Sequence, residues 1–162
     1  MIERLVIFGA TGDLTGRYLL PGLAVLRAGG YLGDEFRLIA AGREDWTDDR
    51  FREHATGWLE RAAGGVPAAA RSDVMAASRY HRLDLGDTAS VAGCVAGTGP
   101  VAVYLALPPS IFATAITAVH RAGLAPGSRL VLEKPFGEDL DSACSPTWCP
   151  SRPCSASTTS SP

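Results

Sequence analysis

Nowhere in this chain of 162 residues does an apolar run approach the roughly 20 residues needed to cross a bilayer, and Glu3 and Arg4 interrupt any signal-peptide pattern at the start. A cytoplasmic protein with no membrane partner is the expectation. Charge of one sign is also scarce: 15 Lys and Arg against 17 Asp and Glu give a net charge of −2. That balance offers no basic surface of the kind nucleic acid requires. Of four cysteines, Cys94 stands alone and Cys144, Cys149 and Cys154 crowd the last nineteen residues, at gaps broken by prolines that match no common zinc pattern. No metal is expected. The three histidines read as His54 within a helix, His81 within a strand and His120 near the end of an outer helix. None stands at a strand's carboxyl end, so no catalytic residue is assigned and no general base is visible.

What the chain does have is an ordinary globular composition, 46% hydrophobic and 20% charged, enough for one domain with a real core. Apolar runs at 2–8, 36–41, 78–83, 101–107 and 130–132 read as five strands. Helical patterns at 15–28, from Thr47-Asp48-Asp49 to about 63, at 87–95 and at 111–122 separate them. The first helix is expected to bury a wide face of Leu19, Leu20, Leu23, Val25 and Leu26, the second Phe51, Trp58 and Leu59. Alternating strands and helices predict an α/β fold, a doubly wound parallel sheet of Rossmann-like type covered on both faces. Ligands of such sheets bind at the carboxyl ends of the strands, where Gly9, Gly42-Arg43, Pro108-Pro109 and Glu133-Lys134-Pro135 all fall.

The first strand runs into Gly9-Ala10-Thr11-Gly12-Asp13-Leu14 and then a helix. A turn of this kind lets backbone N–H groups at a helix start face a diphosphate with no side chain in the way, so a small-molecule dinucleotide is the expected partner. Thr15 replaces the usual third small residue, with Gly16 next. Asp13 reads as a charge favoured by the helix dipole rather than as an acid catalyst. After the second strand Arg43, rather than Asp or Glu, suits the 2′-phosphate of NADP, and Thr11 could add a hydroxyl contact; Glu44 directly after it points the other way, so NAD stays open beside NADP.

Taken together, Gly9 to Leu14, the run Tyr104-Leu105-Ala106-Leu107-Pro108-Pro109 and Glu133-Lys134-Pro135-Phe136-Gly137 resemble the glucose-6-phosphate dehydrogenase family in its N-terminal coenzyme domain, over roughly residues 2–143. The resemblance implies that Gly9, Ala10, Thr11, Gly12, Asp13 and Leu14 hold the NADP pyrophosphate and Arg43 the 2′-phosphate. It further implies that Leu107, Pro108 and Pro109 lie beside the nicotinamide, and that Glu133, Lys134 and Pro135 flank the coenzyme. Lys134 is also the implied substrate-binding residue, and Pro135 matches a proline that is commonly cis in the family. The implied parent reaction is oxidation of glucose 6-phosphate by NADP, in the pentose phosphate pathway, with the sugar phosphate a partner only of an intact parent. Tyr18 stands where the family usually has a lysine.

Residues 1–143 are thus expected to form the dinucleotide-binding domain, and 144–162, rich in Pro, Ser and Thr, a disordered tail. The family's histidine-bearing segment and its α+β substrate domain are missing, so the chain is expected to be inactive alone, a coenzyme-binding module or a non-functional product. A GC-rich back-translation of 144–162, read from the third base of Cys144, can yield a segment containing Val-Asp-His-Phe-Leu. A frame change just before Cys144 is the expectation drawn from it.

Overall fold

The computed structural model describes residues 3–62 and 64–133. Lys134, Pro135 and the tail expected at 144–162 lie outside the described residues. Five parallel strands, β1 (Arg4–Phe8), β2 (Arg37–Gly42), β3 (Ser78–Arg82), β4 (Val101–Leu105) and β5 (Arg129–Leu132), pair in the order β3-β2-β1-β4-β5. The register sets Phe8 beside Ala41 on one side and Leu105 on the other. Strand order reverses at β1, and the carboxyl ends of β1 and β4 are where a doubly wound sheet is expected to bind its ligand.

Helices α1 (Leu20–Ala28), α2 (Asp48–Arg61) and α3 (Ala68–Ala76) cover one face, and α4 (Thr88–Val95) and α5 (Phe112–Ala122) the other. Alternate strand residues feed the two cores. Ile7, Leu38 and Ala40 pack with Leu20, Leu23, Phe51 and Leu59, whereas Val6, Phe8, Val103 and Leu105 pack with Val91, Phe112 and Val119. The edge strand β3, Ser-Arg-Tyr-His-Arg, is polar because only part of it is covered.

Helix starts follow local chemistry. Thr47 Oγ1 accepts from the Arg50 N–H at 3.2 Å and Asp87 Oδ1 from the Ala89 N–H at 2.9 Å, satisfying donors that the helices cannot. The helix after Gly12 opens as a π turn over Thr15–Leu19, in which the Leu20 N–H reaches back to the Thr15 carbonyl. Pro21 brings no N–H and its ring crowds the carbonyl four residues before it, which accounts for a wider turn at this point.

Three expectations need correction. Val25 and Leu26 are exposed, so the buried stripe of α1 is Leu20, Leu23 and Ala24. Trp58 is half-buried and lies over Gly16 instead of joining the core of α2, which is Phe51, Ala55 and Leu59. Helix α3 is not among the helices expected from sequence. Its short alanine side chains give little periodic contrast, and the one punctuation mark is Pro67 at its N-cap.

Candidate dinucleotide site

Gly9 ends β1 with φ +85°, and a Cβ there would sit 2.2 Å from the Ala106 carbonyl oxygen. Only glycine lets the β1 turn lie this close to the segment leaving β4. The Gly9 and Ala10 N–H groups both donate to the Ala41 carbonyl, at 2.9 and 3.0 Å, and the Gly12 N–H donates to Gly9 O at 3.1 Å. The buried Thr15 hydroxyl closes the turn by donating to the same Gly9 carbonyl at 3.2 Å. Thr15 therefore locks the loop, while close helix packing falls to Gly16, where a Cβ would meet the Trp58 ring at 2.4 Å.

With those three amides committed, the N–H groups of Thr11, Asp13, Leu14 and Thr15 are left with no backbone acceptor among the described residues. A helix start leaves such groups unsatisfied, and its dipole favours negative charge. The glycine turn from which a diphosphate cradle is expected thus presents these helix-start amides. Asp13 is exposed and pairs with Arg17 at 3.3 Å, one turn on, a surface ion pair rather than a proton-transfer group.

At the end of β2, Arg43 is exposed and forms no ion pair among the described residues. Glu44 is turned inward. Its carboxylate accepts from the Thr11 hydroxyl at 3.0 Å, and Tyr80, from β3, donates to its backbone oxygen at 2.9 Å. Burial, and then the neighbouring Glu44 charge, push the Tyr80 phenol up to about 12. Thr11, expected as a free hydroxyl for a phosphate, is therefore already engaged by a carboxylate.

Beyond β4, Leu107 is half-buried against Gly9, and Pro108 and Pro109 are exposed at a 3₁₀ turn over Pro109–Ile111, closed by the Ile111 N–H on Pro108 O at 3.1 Å. Beyond β5, Glu133 accepts a hydrogen bond from the Tyr104 hydroxyl of β4. Burial first, then this bond and the Glu133 charge, raise the Tyr104 phenol well above its ordinary range. The end of β1 thus touches the ends of β2 and β4, and the end of β5 touches β4, through named contacts.

Sequence reasoning missed His54. From α2 its Nε2 lies 3.3 Å from the Thr11 carbonyl and 3.2 Å from Trp58 Nε1. The tautomer decides which contact is a hydrogen bond, since one ring nitrogen can donate to the Thr11 carbonyl or accept from the Trp58 N–H but not both. Spacing within α2 puts His54 and Trp58 on one face, but no local signal says that the face meets the glycine turn.

Residues 6–146 match the family model described as glucose-6-phosphate dehydrogenase, NAD binding domain. The glucose-6-phosphate 1-dehydrogenase of Zymomonas mobilis is 38% identical over 149 residues, an alignment covering 88% of this chain and 31% of that protein. A crystal structure of glucose-6-phosphate 1-dehydrogenase from Mycobacterium avium superposes with a TM-score of 0.78 at 29% identity, covering 88% of this chain and 31% of the other. A structure of glucose-6-phosphate dehydrogenase in complex with its substrate glucose-6-phosphate gives a TM-score of 0.70 at 26% identity, covering 88% and 32%. The chain spans about a third of the length of these relatives. Glycine turn, strand order and the match across nearly the whole chain agree: this polypeptide belongs to the glucose-6-phosphate dehydrogenase family, in its NAD-binding domain.

Proposed function

We propose that the chain binds NADP, and NAD as a second coenzyme, in the crevice between the ends of β1 and β4. The observation that carries this reading is the turn at Gly9, where only glycine lets β1 lie against the Ala106 backbone and pass directly into a helix start whose first amides have no backbone acceptor among the described residues. In this reading the N–H groups of Thr11, Asp13 and Leu14 receive the diphosphate and Arg43 faces the 2′-phosphate. Leu107, Pro108 and Pro109 form an apolar wall for the nicotinamide, and Glu133, Lys134 and Pro135 are further coenzyme contacts on the family resemblance alone. The nicotinamide, when bound, supplies hydride acceptance; the protein supplies orientation and exclusion of water.

Within a parent of full length the substrate is glucose 6-phosphate, oxidised at C1, with Lys134 as a binding group. The reaction also needs a base for the hydroxyl proton. None of the three histidines is placed to take that proton, since His54 is engaged beneath the glycine turn, His81 lies on the edge strand and His120 on the outer helix. Calorimetric titration with NADP, followed by an NADPH absorbance assay with glucose 6-phosphate, tests the reading. Saturable binding without turnover is expected. Absence of binding would overturn the coenzyme assignment, and turnover would overturn the reading that none of these histidines serves as the base.

A further inference from the structure

We propose that Glu44 is a coenzyme-selecting residue, whose carboxylate, fixed between the glycine turn and the end of β2, weakens NADP and admits NAD. This rests on the coenzyme reading above. Two opposite rules meet at this strand end: a carboxylate there accepts the ribose 2′-hydroxyl of NAD, and an arginine accommodates the 2′-phosphate of NADP. Arg43 and Glu44 supply both, side by side, but they are not equally placed. Arg43 is exposed, whereas Glu44 is half-buried and fastened.

The fastening is built into the backbone. A Cβ at Gly42 would sit 2.7 Å from the Tyr80 hydroxyl, 2.8 Å from Glu44 Oε2 and 3.1 Å from the Thr11 methyl, so the glycine at 42 is what lets the carboxylate fold back over the strand end. Thr11 Oγ1 donates to Oε2 at 3.0 Å, and the Tyr80 hydroxyl stands 3.5 Å from the same oxygen. An exposed, unfastened glutamate would swing into water and act weakly on a ligand. A held one keeps its charge where the adenosine ribose meets the end of β2. It also removes the Thr11 hydroxyl from the donors open to a phosphate, because that hydroxyl has one proton to give. A carboxylate near a phosphate carrying about two charges disfavours it by roughly tenfold even with substantial solvent screening. The same oxygen gains a hydrogen bond from a free 2′-hydroxyl.

Calorimetric titrations of the full chain with NAD and with NADP, on wild type and on Glu44→Gln, test the proposal. The amide keeps the size of the side chain and its contact with Thr11 while removing the charge. Wild type is expected to bind NAD with a Kd within about tenfold of that for NADP, and Glu44→Gln to shift the ratio of the two constants toward NADP by about tenfold. A ratio changed less than twofold, with both coenzymes still bound, would overturn the role of Glu44 and leave the coenzyme reading standing. Binding of neither coenzyme by wild type would overturn that reading itself. Where the variant does not fold, the wild-type ratio decides: NADP preferred by more than a hundredfold overturns the proposal.

Discussion

Replacing Gly9 by alanine puts the central turn under a load that can be worked out from the structure. The residue has φ +85°, a region that costs an L-amino acid about 1–2 kcal/mol. The added methyl carbon would lie 2.2 Å from the Ala106 carbonyl oxygen and 3.0 Å from its carbon, both backbone atoms, and 3.1 Å from Leu107 Cδ2. A backbone obstacle cannot rotate away, so β1 and the segment after β4 must separate, an overpacking penalty of about 1–3 kcal/mol. The two contributions together come to about 3 kcal/mol, which at an ordinary urea slope lowers the unfolding midpoint by about 1–3 M. Urea titration followed by the fluorescence of half-buried Trp46 and Trp58 reads this out. Gly22→Ala is the matched control. It lies on an exposed turn of α1 with nothing within 4 Å of its built Cβ, and is expected to stabilise by about 0.5–1 kcal/mol through helix propensity. Gly9→Ala unfolding at the wild-type midpoint would refute the claim that β1 and β4 are held together at this glycine.

Stability is expected to fall in alkali. Burial raises the Cys94 thiol from 9.0 to about 11, and burial with the Glu44 charge raises the Tyr80 phenol from 10.0 to about 12. Each group keeps its proton longer folded than unfolded, so its contribution is complete below the unfolded value and disappears as pH climbs through the folded one, a window from about 9 to about 12. Urea midpoints that stay level across that window would contradict this, as would tyrosinate absorbance showing no late-titrating tyrosine. Thr47→Ala, which removes the hydroxyl that accepts the Arg50 N–H, should cost about 1 kcal/mol in the same urea titration, with no change in coenzyme affinity.

The strands and most helices were legible because their signals are local. Val101 to Leu105 is apolar throughout since β4 is buried between two helical layers, and Thr47-Asp48-Asp49 announces α2 through its cap. The glycine turn was legible too, as few other sequences follow a buried strand with Gly9 and Gly12 and then a helix. What escaped depends on contacts across the sheet. Glu44 reads as a surface charge after Arg43 until Thr11 and Tyr80, 33 residues before it and 36 after, are seen to hold it. His54 reads as one more helix residue until α2 is laid against the turn. Val25 and Leu26 are exposed because the helical repeat sets them on the side of α1 away from the Leu20, Leu23 and Ala24 stripe, so the expected face was drawn too wide.

Amide chemical shifts recorded while NADP is titrated into the isotope-labelled chain bear on the whole reading at once. Shifts concentrated in Thr11, Asp13, Leu14, Arg43 and Leu107 are expected, saturating together at one equivalent. A cavity of about 570 Å³ lies at the opposite ends of the strands, between Arg27, Asp73 and Arg79. Shifts centred there, or none anywhere, would place the dinucleotide site elsewhere or remove it altogether.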